Sequence, residues 1–336
     1  MKVVLGVHDG LVRVWKFVDG EFLVNQLRWG EVRRRGLGRA DWVDSGGYQF
    51  MMRGLRLDVA RVLEAYRGIE ARYYMALDEP PRDLDGRVVM ERNVALFEEL
   101  YERFDLGGVL VPVIHFYYPV ELMVEAAERY SRYSRIVAYG GIIPPLLRRT
   151  RYRFPSLAGI ALLRKVWRGT IHVLGAGSPI MLYLASIAGG DSADTSTWRV
   201  KAAYGHVLIP GKGERSVGRS KTWATPRASE EDLEELEAFL RRTGFPLANS
   251  FRDLIRGFTG RAIVNAWVVS RTNPRSWGAG GFRWLESRLS RIVGAGLDDA
   301  VSCLNEYVSL VLGERMREAS RLPCLQDGWV GERPYK

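Results

Sequence analysis

Cysteine is almost missing from this chain of 336 residues, which has only Cys303 and Cys324. Two thiols so far apart predict neither a disulfide framework nor a thiolate metal site, and both are expected as plain thiols of core or surface. Histidine is nearly as scarce. His8, His115, His172 and His206 fall at no metal-ligand spacing, so no metal and no cofactor are expected. Long hydrophobic runs are lacking too: the longest apolar-rich stretch, from Gly107 to Val120, contains Pro112, His115 and Pro119 and stops at Glu121. That is too short and too polar to span a bilayer. An acid as early as Asp9 leaves no room for the apolar core of a signal peptide. Together these absences predict a soluble, cytoplasmic protein without a membrane partner. Low-complexity tracts and short repeats are also absent, and 47% hydrophobic against 26% charged residues is ordinary globular composition.

What the chain has in excess is arginine. Lysine and arginine number 49 against 39 acids, a net charge of +10. Arginine forks match phosphate oxygens, although an arginine-rich surface also follows from genome composition or heat adaptation. Two clusters favour a polyanion partner. Arg148, Arg149, Arg151 and Arg153 fall within six residues, and Lys212, Arg215, Arg219, Lys221 and Arg227 occupy a Gly/Ser/Thr-rich segment that reads as an exposed loop.

Short β-rich runs recur between helix-like segments: Val3 to Val7, Trp42 to Val43, Tyr73 to Leu77, Val109 to Ile114, Ile136 to Tyr139, Ile171 to Leu174, and a polar run around Asp194. Helical spacing predicts helices from Asp58 to Tyr66, Arg92 to Arg103 and Pro119 to Tyr133. This βα alternation, without a Gly-x-Gly-x-x-Gly opening, predicts an α/β fold and favours a (β/α)8 TIM-type barrel over a dinucleotide-binding sheet, with an open sheet as the alternative. After about Ala228 the pattern turns to amphipathic helices. Ser229-Glu-Glu-Asp232 resembles a capping box, and a second helical region runs from Phe282 to Met316 beyond breaks at Thr272 to Gly281. Residues 1–227 are therefore expected as the barrel, and 228–336 as a helical C-terminal cap that closes it.

In a parallel barrel the carboxyl ends of the strands converge on one mouth. Those ends read Asp44-Ser-Gly-Gly-Tyr, Asp78-Glu79, His115, Gly140-Gly141, Gly175-Ala-Gly177 and Asp191-Ser-Ala-Asp194. Asp44-Ser45-Gly46-Gly47-Tyr48 places a carboxylate, two permissive glycines and an aromatic face directly after Trp42-Val43; the plain alternative is a tight turn. Two aspartates at separate strand ends suit chemistry at a sugar's anomeric carbon, one attacking while the other moves a proton. Asp194 is otherwise a turn or cap aspartate, Asp191 a capping group, and Gly175 and Gly177 the residues of a tight turn. His115 reads equally as a ligand contact or a satisfied core histidine.

Six blocks in sequence carry a family resemblance: Asp44-Ser-Gly-Gly-Tyr-Gln, Met75-Ala-Leu-Asp78-Glu79, Val111-Pro-Val-Ile-His115, Tyr139-Gly-Gly-Ile-Ile-Pro144, His172-Val-Leu-Gly-Ala-Gly-Ser-Pro179 and Gly190-Asp-Ser-Ala-Asp194. In this order, across residues 40 to 205, the chain resembles the tRNA-guanine transglycosylase superfamily. The resemblance implies a barrel pentosyltransferase that removes guanine from a nucleic acid and inserts a 7-deazaguanine. By position, Asp194 matches the nucleophile that attacks C1′ and Asp44 the proton shuttle. Tyr48 and Leu174 match the two sides of the base sandwich, Asp78 would hold the purine's amino and ring N–H edge, and the N–H of Gly141, beside Gly140, would meet its carbonyl. Ser45 joins this base-binding group.

Departures from the family pattern are informative. His115 stands where a base-contacting glutamine is found. Gly140-Gly-Ile-Ile-Pro-Pro lacks the Gly-Glu of the bacterial enzymes and resembles the archaeal version, whose base carries a neutral nitrile, so preQ0 is the expected base. The Cys-x-Cys-x-x-Cys…His zinc site and the long RNA-binding extension of tRNA-acting members are missing, which points to DNA in preference to tRNA. Arg148, Arg149, Arg151, Lys212 and Arg215 are the expected backbone contacts. A non-catalytic, nucleic-acid-binding barrel subunit is the reading from another class. Family members commonly dimerise, which makes a homodimer the corresponding expectation.

Overall fold

Nine short parallel strands form one curled sheet in the computed structural model, which describes residues 1–54, 58–81, 86–141, 153–218 and 225–326. In chain order they are β1 (Lys2–Val7), β2 (Glu21–Asn25), β3 (Ala40–Asp44), β4 (Ala71–Met75), β5 (Val109–Val111), β6 (Val113–Ile114), β7 (Ile136–Tyr139), β8 (Thr170–Val173) and β9 (Ser192–Thr195). Spatial order follows chain order, and β9 returns to pair with β1. The two edges are β5, paired with β4, and β6, paired with β7. Only Pro112 separates them, and a proline cannot donate to a ladder. Its carbonyl still accepts from Ala138 N at 2.9 Å, so the sheet is a nearly closed parallel barrel.

Alternation of side chains along these strands sorts the core into two parts. Val4, Leu23, Trp42, Met75, Val111 and Ile136 point inward and fill the barrel with Tyr73 and Leu174 packed on them. Residues on the outer face, such as Leu5, Val24, Val43 and Val137, meet the surrounding helices in a second, larger cluster. Those helices include Val59–Arg67, Arg87–Glu102, Glu121–Tyr130, Arg153–Val166, Pro179–Ile187 and Thr197–Ala203. The first starts where Asp58 caps Arg61 N through its side chain, as its position before an apolar stripe suggests.

β2 was not foreseen from the sequence. Phe22, Leu23 and Val24 form only a three-residue apolar run, and their strand conformation rests on parallel partners at both sides, β1 and β3. A second surprise is the antiparallel hairpin β10 (His206–Ile209) with β11 (Gly213–Ser216). The reading of 212–216 as an exposed loop is thus corrected: Lys212 lies in the hairpin turn and Arg215 in β11.

Past residue 228 the chain is helical, with Glu230–Arg242, Phe258–Arg271, Arg283–Gly294 and Leu297–Leu312 as its long elements. Ser229 and Asp232 make a full reciprocal capping box at the first of these. Phe258–Arg271 packs on Thr197–Ala203, β10 and β1, while Arg283–Gly294 and Leu297–Leu312 pack on Arg153–Val166. Their buried faces belong to the same cluster as the barrel's outer layer. The expectation of two free thiols is overturned: Cys303 and Cys324 form a disulfide that ties Leu297–Leu312 to the turn Pro323–Leu325. A separation of 21 residues was no obstacle, because the chain reverses at Gly313 and returns along the helix. Among the described residues no helix is long and apolar enough to cross a membrane.

Candidate functional site

Parallel pairing brings the carboxyl ends of the nine barrel strands to one mouth, and Asp44, Asp78, His115, Gly140, Gly141, Leu174 and Asp194 lie at those ends. Asp44 ends β3, opposite Asn25 at the end of β2. Asn25 Nδ2 donates to Asp44 Oδ2 at 2.6 Å, and the Gly46 N–H donates to Oδ1 at 3.2 Å. Asp44 is half-buried by surface area, and protein is packed densely around its carboxyl. Burial pushes its pKa up to about 6; the Gly46 N–H and the Asn25 amide oppose the rise, and the charges of Asp78 and Asp194 reinforce it.

Asp78, three residues past β4, is buried and held from two directions. Ser45 Oγ donates to its Oδ1 at 3.3 Å, and His115 Nε2 lies 2.9 Å from its Oδ2. Gly47 allows this packing: a Cβ there would stand 2.3 Å from the Asp78 carbonyl oxygen and 2.7 Å from Oδ1. His115 itself is 1% exposed, and its Nδ1 has no hydrogen-bond partner among the described residues. Its ring lies against the glycine pair. A Cβ on Gly141, whose φ is +73°, would come within 2.8 Å of Nδ1, and one on Gly140 within 2.9 Å of Cε1. His115 is therefore a buried support for Asp78 whose Nδ1, without a partner among the described residues, faces Gly140 and Gly141.

Across the mouth, Asp194 sits in β9 level with Val4 of β1. The Gly175 N–H donates to Asp194 Oδ1 at 2.7 Å, while Oδ2 accepts no hydrogen bond among the described residues. Gly175 adopts φ +69°, which turns its N–H toward the carboxylate. Leu174, just before it, is partly buried on the interior cluster. Asp191 lies at the other end of β9, where Oδ2 accepts from Ile171 N at 2.8 Å, so it braces β8 at a distance from the mouth.

Several participants went unnoticed in the sequence. Asn25 belongs to the unforeseen strand β2. His172, fully buried inside the barrel, places Nε2 3.5 Å from Asp194 Oδ1 and Nδ1 2.8 Å from Ser192 Oγ. His8 follows β1 and interacts electrostatically with Asp194 and Arg199; its ring has open surface, yet the protein mass around it holds its pKa below the ordinary value. A recess of about 510 Å3 is lined by His8, Asn25, Arg28, Gln49, Arg53 and Arg199 among others, and it meets Asp44 only through its partner Asn25. Arg199 is already bound to Asp9 at 2.5 Å.

Other predicted residues fall elsewhere. Tyr48 lies in the helix Gly47–Met52, but its side chain is outside the described residues, as are Arg148, Arg149 and Arg151 entirely. Lys212 and Arg215 are engaged within the fold. Lys212 Nζ lies 2.8 Å from Glu235 Oε1 and 3.3 Å from Asp232 Oδ1, and Arg215 Nε lies 3.1 Å from Asp232 Oδ2. Among the described residues no group of three or more His, Cys, Asp or Glu side chains is placed to hold a metal ion.

The fold and site define an α/β protein with a parallel, nearly closed barrel whose mouth carries three separately held carboxylates, Asp44, Asp78 and Asp194. No known protein-family model matches the sequence. The chain is 32% identical over 279 residues to "Uncharacterized protein 306" of Sulfolobus islandicus rod-shaped virus 1, a match covering 81% of this chain and 83% of the viral protein. The chain belongs to the family of that viral protein.

Proposed function

We propose that the barrel is a (β/α)8 barrel of TIM type, with β5 and β6 counted as one strand broken at Pro112 and the residues after 228 as its helical cap. We further propose that it is a guanine transglycosylase of nucleic acids, exchanging guanine for a 7-deazaguanine, preQ0, in DNA. The supporting observation is the unlike treatment of two carboxylates at one mouth. Asp44 is pushed up to about 6, where it can hold and release a proton near neutral pH, while Asp194 is gripped at Oδ1 by a backbone N–H with Oδ2 left open.

In this reading the Asp194 Oδ2 lone pair forms a bond to C1′ of the target nucleotide as the C1′–N9 bond breaks. The departing purine takes the bond's electron pair and the proton of Asp44. The incoming base then returns a proton to Asp44, its nitrogen attacks C1′, and the C1′–Oδ2 bond breaks to restore the carboxylate. Asp78, braced by Ser45 and His115, would face the purine's amino and ring N–H edge, with Gly140 and Gly141 at its carbonyl. In duplex DNA the target nucleotide must first leave the stack, at a cost of roughly a few kcal/mol. Arg148, Arg149 and Arg151 would meet the backbone.

Labelled guanine exchange on DNA and on tRNA tests this directly. Wild-type protein should exchange base on DNA and form a denaturation-resistant adduct, and Asp194→Asn should do neither. Exchange confined to tRNA would transfer the activity to that polynucleotide, and binding without exchange would make the chain a non-catalytic nucleic-acid-binding subunit.

A further inference from the structure

His172 is an uncommon residue for the interior of a parallel barrel. It is completely buried and stacks on Trp42 with ring centroids 4.2 Å apart and planes within 20°. Trp42 is fixed in turn, stacked on Tyr73 at 4.1 Å and donating through Nε1 to Glu21 Oε2 at 2.8 Å. The imidazole plane is thereby set from one side by a rigid aromatic column. A phenylalanine would serve such a column equally well and would leave no polar atom to satisfy. The histidine instead carries a buried Nε2 with no full hydrogen bond among the described residues, aimed at Asp194 Oδ1 from 3.5 Å. An unmet buried donor costs about 1–3 kcal/mol, so its presence calls for a reason.

We propose that His172 is the positioning residue for Asp194. The Ser192 hydroxyl, 2.8 Å from Nδ1, donates to that nitrogen and keeps the proton on Nε2. The Nε2–H then joins the Gly175 N–H on Oδ1, so that two donors grip one oxygen and Oδ2 alone is presented to the mouth. The 3.5 Å contact shortens on engagement of substrate, as hydrogen bonds at unliganded sites do. Once Oδ2 is bonded to C1′, Oδ1 is an ester carbonyl oxygen. When the ester breaks, the returning carboxylate charge develops between two fixed donors. This role rests on reading Asp194 as the nucleophile; the pairing of His172 with Asp194 does not.

Two measurements decide it. Nitrogen-15 NMR of imidazole-labelled protein should show His172 carrying its proton on Nε2 with Nδ1 unprotonated, and Ser192→Ala should admit the other tautomer. A wild-type ring protonated on Nδ1 overturns the proposal whether or not the protein exchanges bases. Single-turnover adduct formation supplies the second measurement. His172→Phe, which keeps the stack and lacks the donor, should slow it roughly 10- to 100-fold with unchanged polynucleotide affinity. His172→Gln, which returns an N–H at the position of Nε2, should recover most of the rate. A His172→Phe rate equal to wild type, or a His172→Gln rate as low as that of His172→Phe, sinks the proposal. Absence of any adduct in wild type would instead fall on the transglycosylase reading, and the tautomer alone would then judge the contact.

Discussion

Asn25 donates to Asp44 at 2.6 Å from the neighbouring strand, and even so burial lifts the Asp44 carboxyl to about 6. A short hydrogen bond to a carboxylate ordinarily favours its charged form. Here desolvation, with two further aspartates at the same mouth, outweighs it. Such a group is held against the interest of stability at neutral pH, as the proposed proton shuttle requires.

The stability consequence has a definite sign. Because the folded pKa exceeds the ordinary value of 3.8, the folded chain binds the proton more tightly between roughly pH 4 and 6. The stabilisation from this group is complete below pH 4 and is lost as pH rises through 6. Asp44→Asn should therefore gain up to about 3 kcal/mol at pH 7.5 and almost nothing at pH 4, read from denaturant unfolding at both values. An equal effect at the two pH values would mean that the carboxyl is not strained.

Gly47→Ala should be among the most damaging single substitutions near the mouth. Its Cβ would overlap a backbone carbonyl oxygen at 2.3 Å, which no side-chain rotation relieves. We expect a loss of about 2–3 kcal/mol in stability together with weakened purine binding, because Asp78 must move. Calorimetric titration with the free base checks the second effect; unchanged affinity would separate Asp78 from base recognition.

The disulfide should matter for stability and leave the mouth untouched. Closing a loop of 21 residues predicts a loss of about 3 kcal/mol on Cys324→Ser or on reduction. Melting with and without reductant would show it, with the Cys324→Ser variant insensitive to reductant. A wild-type melt indifferent to reductant would mean that the bond does not form in solution.

Lys212 and Arg215 are expected to stabilise the hairpin rather than hold phosphate. Replacing both with alanine should lower the melting temperature, because Asp232 loses two cationic partners, and should leave the salt dependence of polynucleotide affinity nearly unchanged. A fall in the log–log slope of about one for each lost charge would restore them as backbone contacts.

Much of the mouth was visible in the linear chain. Asp44-Ser45-Gly46-Gly47 stood out because a carboxylate followed by two permissive glycines marks a strand exit where backbone is closely approached, and the capping box at Ser229 and Asp232 is a local pattern with a local cause. Residues whose partners are distant were invisible. Strand β2 is five residues long, opens on Glu21 and closes on Asn25, and is a strand because β1 and β3 flank it.

The sequence by itself determined the βα alternation, the acids and glycines at strand exits and the helical character after residue 228. These depend on side-chain period and backbone permissiveness, which act over a few residues. Only the tertiary structure decided that Asn25 meets Asp44, that His172 faces Asp194, that Lys212 pairs with Asp232 and Glu235 and Arg215 with Asp232, and that Cys303 finds Cys324. Each of those is a contact between segments separated along the chain, set by register and packing and therefore carried by no local pattern.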